Sequence, residues 1–87
     1  MDGRPHAHEF LEEARQRLGL GVDELWTDCL AMGGNTPMPR LQGILGGQSD
    51  PTRHEYDLIA QCLNEHLASS GSTDRVPYAE EVWNGFS

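Results

Sequence analysis

Cys62 and His66 have the spacing of a metal-ligand pair on a helix. Side chains four positions apart lie on one helix face, and thiolate and imidazole are ligands that zinc prefers. Cys29 and His54 are conceivable further ligands, but the chain contains no paired Cys-x-x-Cys motif. We therefore expect no metal or other cofactor. Cys62 should lie in the core, and His66 should be exposed near the helix end, where a cation complements the helix dipole.

Catalytic residue patterns are missing from the sequence. There is no Ser/His/Asp set, phosphate-cradling loop or evident carboxylate pair, so we predict that the chain is not an enzyme. The stretch from Leu18 to Thr36 loosely resembles the acyl and peptidyl carrier proteins, which carry a serine for the phosphopantetheine arm after a Gly-Gly pair. Here that position is Thr36, followed by Pro37, and both residues count against a carrier role.

The charge of the chain is strongly negative and unevenly distributed. Fourteen acidic residues against six arginines, with no lysine, give a net charge of -8. Such a charge opposes non-specific attraction to DNA phosphates. Residues 9–28 sum to -4 and residues 55–81 to -5, whereas residues 34–54 sum to +1. The least acidic stretch is therefore the candidate DNA-reading surface.

Length and hydropathy indicate one soluble domain. Eighty-seven residues suffice for a single core. No window approaches the roughly 18 apolar residues of a membrane span, and the N-terminus lacks the apolar centre of a secretory signal. We therefore expect a cytoplasmic protein without membrane contact, in which Cys29 and Cys62 are reduced and buried.

Apolar periodicity predicts two helices in the first third of the chain. The first begins at Pro5 or His8, after a loose N-terminus (residues 1–7), and ends at Leu18. The second begins at Val22 and ends near Gly33-Gly34. Their apolar stripes comprise Phe10, Leu11, Ala14 and Leu18 in the first helix and Val22, Leu25, Trp26, Cys29 and Leu30 in the second.

Two further helices follow in the predicted helical domain (residues 8–68). Asn35-Thr36-Pro37 predicts a capped start for the third helix, with Pro37 at its first position, and Gly46-Gly47 predicts its end. The fourth helix starts either at a Thr52/Glu55 capping box or at Asp50-Pro51. Its apolar stripe, the longest in the chain, comprises Tyr56, Ile59, Ala60, Leu63 and Leu67.

The C-terminal quarter combines a linker with an aromatic segment. Residues 69–75 are small and polar, as in a linker. Three of the six aromatic residues lie within the last ten positions. This segment (residues 76–87) should cover a surface, either on its own core or on another subunit or partner. Its candidate contacts are Tyr78, Val82, Trp83 and Phe86.

The middle of the chain resembles the lambda-repressor-like (XRE-type) helix-turn-helix family. The resemblance rests on apolar and turn positions over about half the chain, namely Leu41, Ile44, Gly47, Pro51, Ile59, Ala60 and Leu63. It implies an all-α bundle of four to five helices, with the helix-turn-helix at about residues 22–46. The second helix is about one turn longer than in the family, and the Gly33-Gly34 pair predicts a wider turn.

The same resemblance implies a small DNA-binding transcription regulator. Its base-facing positions fall on Met38, Pro39 and Gly43, none of which forms bidentate hydrogen bonds with a base. Only Arg40 and Gln42 offer such groups nearby. The candidate contacts with double-stranded DNA are therefore Thr36, Met38, Arg40, Gln42 and, on a phosphate, Arg53. Dimerisation through the aromatic tail would support such binding.

An alternative function is an acidic adaptor for protein–protein interaction, built on the same scaffold. Its acidic faces or its aromatic tail would engage a basic partner such as another regulator or a polymerase subunit. Under this hypothesis deletion of residues 78–87 would abolish partner capture but leave a folded body.

Overall fold

The computed structural model describes residues 7–84 and contains five helices in that range. No residue between 7 and 84 lies in a β-strand. The prediction of a small all-α bundle is confirmed. The helices are α1 (Ala7–Leu18), α2 (Val22–Ala31), α3 (Met38–Leu45), α4 (Arg53–Ser69) and α5 (Ala79–Asn84). Phe86 and the first six residues of the predicted loose N-terminus lie outside the described residues.

Helix α4 is the centre of the bundle. It packs against α1, α2 and α5, while α3 packs against α1 and α2. The predicted apolar stripe of α4 is buried along its whole length. None of the five helices combines the length and apolar character needed to cross a membrane. The core consists of Ala7, Leu11, Ala14, Leu25, Cys29, Leu41, Ile44, Leu45, Tyr56, Ile59, Ala60, Cys62, Leu63, Leu67, Val76, Ala79 and Val82.

Two residues of the predicted stripes face solvent. Phe10 is 37% exposed and Leu30 is 40% exposed. On α1 the buried positions are Ala7, Leu11 and Ala14, which have helical spacing and leave Phe10 beside the buried face. On α2 the inward positions are Leu25 and Cys29, and Leu30 lies one residue beyond them. Both stripes are narrower than the sequence pattern suggested.

Helix α3 begins later than predicted. Pro37 is its cap residue, in an extended conformation and without a side-chain cap, and Pro39 is the proline in the first turn. Residues before a proline are driven away from helical backbone angles, which affects Thr36. In addition, the Trp26 indole nitrogen donates to the Thr36 carbonyl oxygen at 2.9 Å. Residues 35 and 36 thus precede the helix as predicted, and α3 begins one residue after Pro37, the predicted first helical position.

A close approach of backbone to side chain shapes the turn between α2 and α3. The Gly34 nitrogen donates to the Cys29 carbonyl oxygen at 2.9 Å, and Gly33 has a φ of 94°. A Cβ atom on Gly34 would lie 2.4 Å from a methyl carbon of Leu58 on α4. The turn therefore needs glycine at Gly34 because the chain passes directly over α4.

The loop between α3 and α4 has a defined end. Gly47, with a φ of 78°, follows the last turn of α3 as predicted. At the start of α4, the Glu55 nitrogen donates to Thr52 Oγ1 at 3.0 Å, and the Thr52 nitrogen donates to Glu55 Oε1 at 2.8 Å. This is the predicted capping box, so the Asp50-Pro51 alternative is wrong.

The C-terminal segment docks on α4 of its own chain. Val76, Ala79 and Val82 are buried in the common core. The Tyr56 hydroxyl donates to the Pro77 carbonyl oxygen at 2.8 Å. Side chains on α4 also bind the segment's backbone, because Asp57 Oδ1 accepts from the Ala79 nitrogen at 2.7 Å. Residues 76–82 thus belong to the same core as the preceding helices, and the deletion of residues 78–87 is now expected to destabilise the body.

Candidate functional site

The residues predicted to contact DNA lie before α3, on α3 and at the start of α4. Gln42 and Arg53 are exposed, whereas Thr36, Met38 and Arg40 are half-buried. Of the other two base-facing positions implied by the resemblance, Pro39 is exposed and Gly43 is buried. A Cβ atom on Gly43 would lie 2.8 Å from Ser49 Oγ, so this position faces the protein rather than an external groove.

Arg40 is held by a carboxylate of its own chain. Its Nε and Nη2 atoms donate to the two carboxylate oxygens of Glu55 at 2.6 and 2.7 Å, and Nη2 also donates to the Asp50 carbonyl oxygen at 3.1 Å. The Arg40 guanidinium and the Thr52 backbone lower the pKa of Glu55 to about 2. A bidentate pair is geometrically specific and stronger than a neutral hydrogen bond. The Arg40 guanidinium is therefore occupied in this structure, and its contact with DNA stays a prediction.

Most of the described arginines are occupied in the same way. Arg15 pairs with Glu12, Arg17 with Glu13 and Asp74, Arg40 with Glu55, and Arg75 with Glu81. Of the five arginines within residues 7–84, only Arg53 makes no ion pair with a described residue. Phosphate binding would require some of these guanidinium groups to leave their carboxylates.

A pocket of about 300 Å³ lies between α2 and α4. Met32 and Cys62 give its lining an apolar part, and Asp28, Glu65 and His66 give it polar groups. A second, smaller pocket of about 60 Å³ lies near Phe10 and Pro77. The larger pocket, the α2–α4 pocket, is lined by Asp28, Ala31, Met32, Cys62, Glu65, His66 and Ser69.

An ion pair connects two polar residues of the α2–α4 pocket. His66 Nε2 lies 2.5 Å from Asp28 Oδ2, and both side chains are partly exposed. The His66 side chain is therefore in contact with Asp28 and only partly exposed, whereas its position near the helix end predicted an exposed imidazole. Glu65 is exposed beside it. Within residues 7–84, no three His, Cys, Asp or Glu side chains are grouped as metal ligands.

Three sulfur atoms lie close together at the α2–α4 pocket, which Met32 and Cys62 line. Cys29 Sγ and Cys62 Sγ are 3.4 Å apart, and Cys62 Sγ is 3.0 Å from Met32 Sδ. Both cysteines are free and buried. The contact between the two thiols lowers the pKa of Cys29, whereas the same contact and burial raise the pKa of Cys62.

The aromatic tail offers less surface than the sequence predicted. Val82 is 1% exposed and therefore closed to a partner in this conformation. Tyr78 is half-buried, and the Arg75 guanidinium carbon lies 5.6 Å from the centre of its ring. Trp83 is 37% exposed and packs edge-on against Tyr56, with ring centres 5.3 Å apart. Partner binding through Trp83 stays a prediction, and Phe86 lies outside the described residues.

The α2–α4 pocket was not foreseen as a unit from the sequence. The spacing of Cys62 and His66 predicts both residues on one helix face, with Cys29 as a conceivable further ligand. Asp28, Met32 and Glu65 carried no separate signal, because a carboxylate or a methionine on a helix is usually a solvated or core residue.

No protein-family model matches the chain, and neither curated proteins nor solved structures give a match.

Proposed function

We propose that the chain is an acidic protein-interaction module that binds a basic segment of a partner protein at the α2–α4 pocket. One observation carries the proposal. Arg15, Arg17, Arg40 and Arg75 are already paired with carboxylates, while the pocket presents Asp28 and Glu65 beside an apolar lining. A net charge of -8 favours encounter with a basic protein and disfavours encounter with a polyanion.

The pocket matches the chemistry of an arginine or lysine side chain. Long cationic side chains bury their methylene stems on apolar surface and keep the charged group near water or a carboxylate. Ala31 and Met32 would receive the stem, and Asp28 and Glu65 the cation. Methionine suits this role because its unbranched side chain adapts to different shapes. A volume of about 300 Å³ lies at the lower end of the range for small-ligand pockets and suits one side chain.

Binding of a cation at Asp28 would displace the His66 side chain. In the unbound protein the Asp28 carboxylate is close to His66 Nε2. An imidazole is positively charged only when protonated, whereas a guanidinium is always charged. An incoming arginine would therefore replace His66 at Asp28 and offer a fork of donors in its place.

DNA binding through α3 is the second candidate function, and one observation favours it. The least acidic stretch of the chain has three exposed polar side chains. They are Gln42 on α3 and Arg53 and His54 at the start of α4. Arg53 is also the described arginine without an ion pair. So few available cations would give weak binding with a shallow dependence on salt.

Calorimetric titrations at low salt distinguish the two functions. The probes are a blocked peptide of alternating arginine and leucine, the same peptide with uncharged citrulline in place of arginine, and mixed-sequence duplex DNA. We expect binding of the arginine peptide and none of the citrulline peptide or the DNA. Binding of DNA without binding of the arginine peptide would contradict the proposal and favour the second candidate.

A further inference from the structure

Cys29 on α2 and Cys62 on α4 face each other across two packed helices. Their sulfur atoms are 3.4 Å apart and must approach by about 1.4 Å to reach the length of a disulfide bond. We propose that this pair is an oxidation site at which a peroxide converts two thiols into a disulfide joining α2 to α4. This inference does not depend on the proposed interaction function.

Access to the pair is provided by the α2–α4 pocket. Cys62 and Met32 are among the residues that line it, and Cys29 Sγ lies 3.4 Å from Cys62 Sγ. A volume of about 300 Å³ admits hydrogen peroxide, which is little larger than the water molecule, whose share of liquid volume is about 30 Å³. A protein-sized oxidant would not reach the sulfur atoms, because Cys29 and Cys62 are 5% and 2% exposed.

The chemistry is complete with hydrogen peroxide as the oxidant. One sulfur, as thiolate, attacks a peroxide oxygen; the O–O bond breaks, and the departing hydroxide takes a proton to become water. The product is a sulfenic acid. The second sulfur then attacks the sulfenic sulfur, the S–S bond forms, the S–O bond breaks, and a second water leaves. Two thiols and one peroxide thus give one disulfide and two waters.

The environment of the pair supports this order of events. The neighbouring thiol lowers the pKa of Cys29, which favours its thiolate, and the same contact raises the pKa of Cys62. A thiolate beside a thiol has its resolving partner already in place, so the sulfenic acid is captured before further oxidation. Proximity within one molecule makes the second step independent of protein concentration.

The disulfide would link two residues that are 33 positions apart in sequence. Crosslinks that close loops of this length restrict the unfolded chain and stabilise the folded state. For a domain of this size the gain corresponds to a melting temperature higher by about 15 °C. The disulfide would also hold Cys62, which lines the pocket, closer to α2.

Oxidation of the full chain with hydrogen peroxide tests the proposal. The protein is treated, denatured and alkylated, and its free thiols are counted by mass spectrometry. Since the chain has two cysteines, each outcome is assigned without ambiguity. We expect loss of both thiols together, a peptide pair joined through Cys29 and Cys62, a monomer on a non-reducing gel, and a melting temperature raised by about 15 °C that returns to its original value on reduction.

Several results would overturn the proposal. They are retention of both thiols, a disulfide-linked dimer, or oxidation of each cysteine to sulfinic acid. Cys29→Ser and Cys62→Ser each remove one sulfur, and neither variant should gain thermal stability on oxidation. The thiol count in the natural chain remains decisive if a variant fails to fold. Conversion of Met32 to the sulfoxide does not interfere, because thiols and the linked peptide pair are read directly.

Discussion

The corner between α3 and α4 and the pocket between α2 and α4 contain ionic groups of similar exposure but different availability. Arg40 at the corner is 37% exposed, and Asp28 at the pocket is 42% exposed. Arg40 is held by both oxygens of Glu55, a carboxylate that also caps α4. Asp28 is paired with His66, whose charge depends on protonation.

This difference shows that exposure alone does not make a charged side chain available for binding. Removing Arg40 from Glu55 would break a bidentate pair and leave the capping carboxylate without its cation. Replacing His66 at Asp28 with an arginine gives this carboxylate a partner that is always charged. The corner therefore serves to join α3 to α4, while the pocket can accept an external cation at smaller cost.

The largest expected effect is a difference in the free energy of unfolding between substitutions on the buried face and the exposed face of α3. Ile44→Ala should lower the free energy of unfolding by about 2–4 kcal/mol, because Ile44 is fully buried and its loss leaves a cavity. Gln42→Ala, on the exposed face of the same helix, should change it by less than about 0.5 kcal/mol. Urea unfolding measures both values. Equal losses would show that α3 has no outward face.

The next effect concerns the carboxylates of the pocket. Asp28→Asn combined with Glu65→Gln should weaken binding of the arginine–leucine peptide by about tenfold, or about 1.4 kcal/mol, because the cation loses both negative charges beside it. Calorimetry measures the dissociation constant. Unfolding stability should change little, since the Asp28–His66 pair is partly exposed.

A matched variant removes the same charge elsewhere. Asp23→Asn combined with Glu80→Gln neutralises two exposed carboxylates, on α2 and α5, that do not line the pocket. If binding depends on the pocket, this control should retain nearly full affinity at moderate salt. Equal weakening in the two double variants would mean that net charge alone attracts the peptide.

A smaller effect tests the docking of the C-terminal segment within its own chain. Tyr56→Phe keeps the buried ring but removes the hydroxyl that donates to the Pro77 carbonyl oxygen at 2.8 Å. The unfolding free energy should fall by about 1 kcal/mol, and the decrease should be the same at all protein concentrations. A loss that depends on concentration would point instead to a segment exchanged between two copies.

The smallest effect is a pH dependence at the α3–α4 corner. Glu55→Gln introduces an amide whose oxygen can still accept the hydrogen bond of the capping box. It removes the negative charge facing Arg40. At neutral pH we expect a loss of about 1 kcal/mol, a value reduced for solvent screening because Arg40 is 37% exposed. Urea unfolding of both proteins across the acidic range measures it.

The pH range follows from the lowered pKa of Glu55. Its ordinary value is 4.5, and in the folded protein it is about 2. The stabilisation is therefore fully present above about pH 4.5 and is lost as the pH falls towards 2. The difference between the natural protein and Glu55→Gln should shrink over this range. A difference that stays constant down to pH 2 would show that the carboxylate charge contributes nothing.

Much of the fold could be predicted because local signals agreed with one another. The apolar stripe of α4, the Thr52/Glu55 capping box and the glycine end of α3 each have a short-range physical cause. The start of α3 differs by one residue, because Pro37, predicted at the first helical position, is the extended cap residue, and Pro39 is the proline in the first turn. Two prolines two positions apart are each compatible with a helix start, and the local pattern does not choose between them.

The candidate site was less accessible to sequence reasoning because it depends on contacts between helices. The sequence placed Cys62 and His66 on one helix face but gave no register between α2 and α4. The packing of these helices brings Asp28 to His66 and Cys29 to Cys62. Likewise, the spacing of Arg40 and Glu55 along the chain does not indicate their ion pair, since the connecting loop determines it.

A residue-resolved NMR titration of the isotope-labelled chain locates the binding surface. The arginine–leucine peptide and mixed-sequence duplex DNA are added separately at low salt. Under the proposed function, available carboxylates at the α2–α4 pocket, rather than cations along α3, provide this surface. We expect the peptide to shift the signals of Asp28, Met32, Glu65 and His66, and the DNA to shift none of these. Shifts confined to residues 36–42 and Arg53 on addition of DNA, with no response to the peptide, would contradict the account.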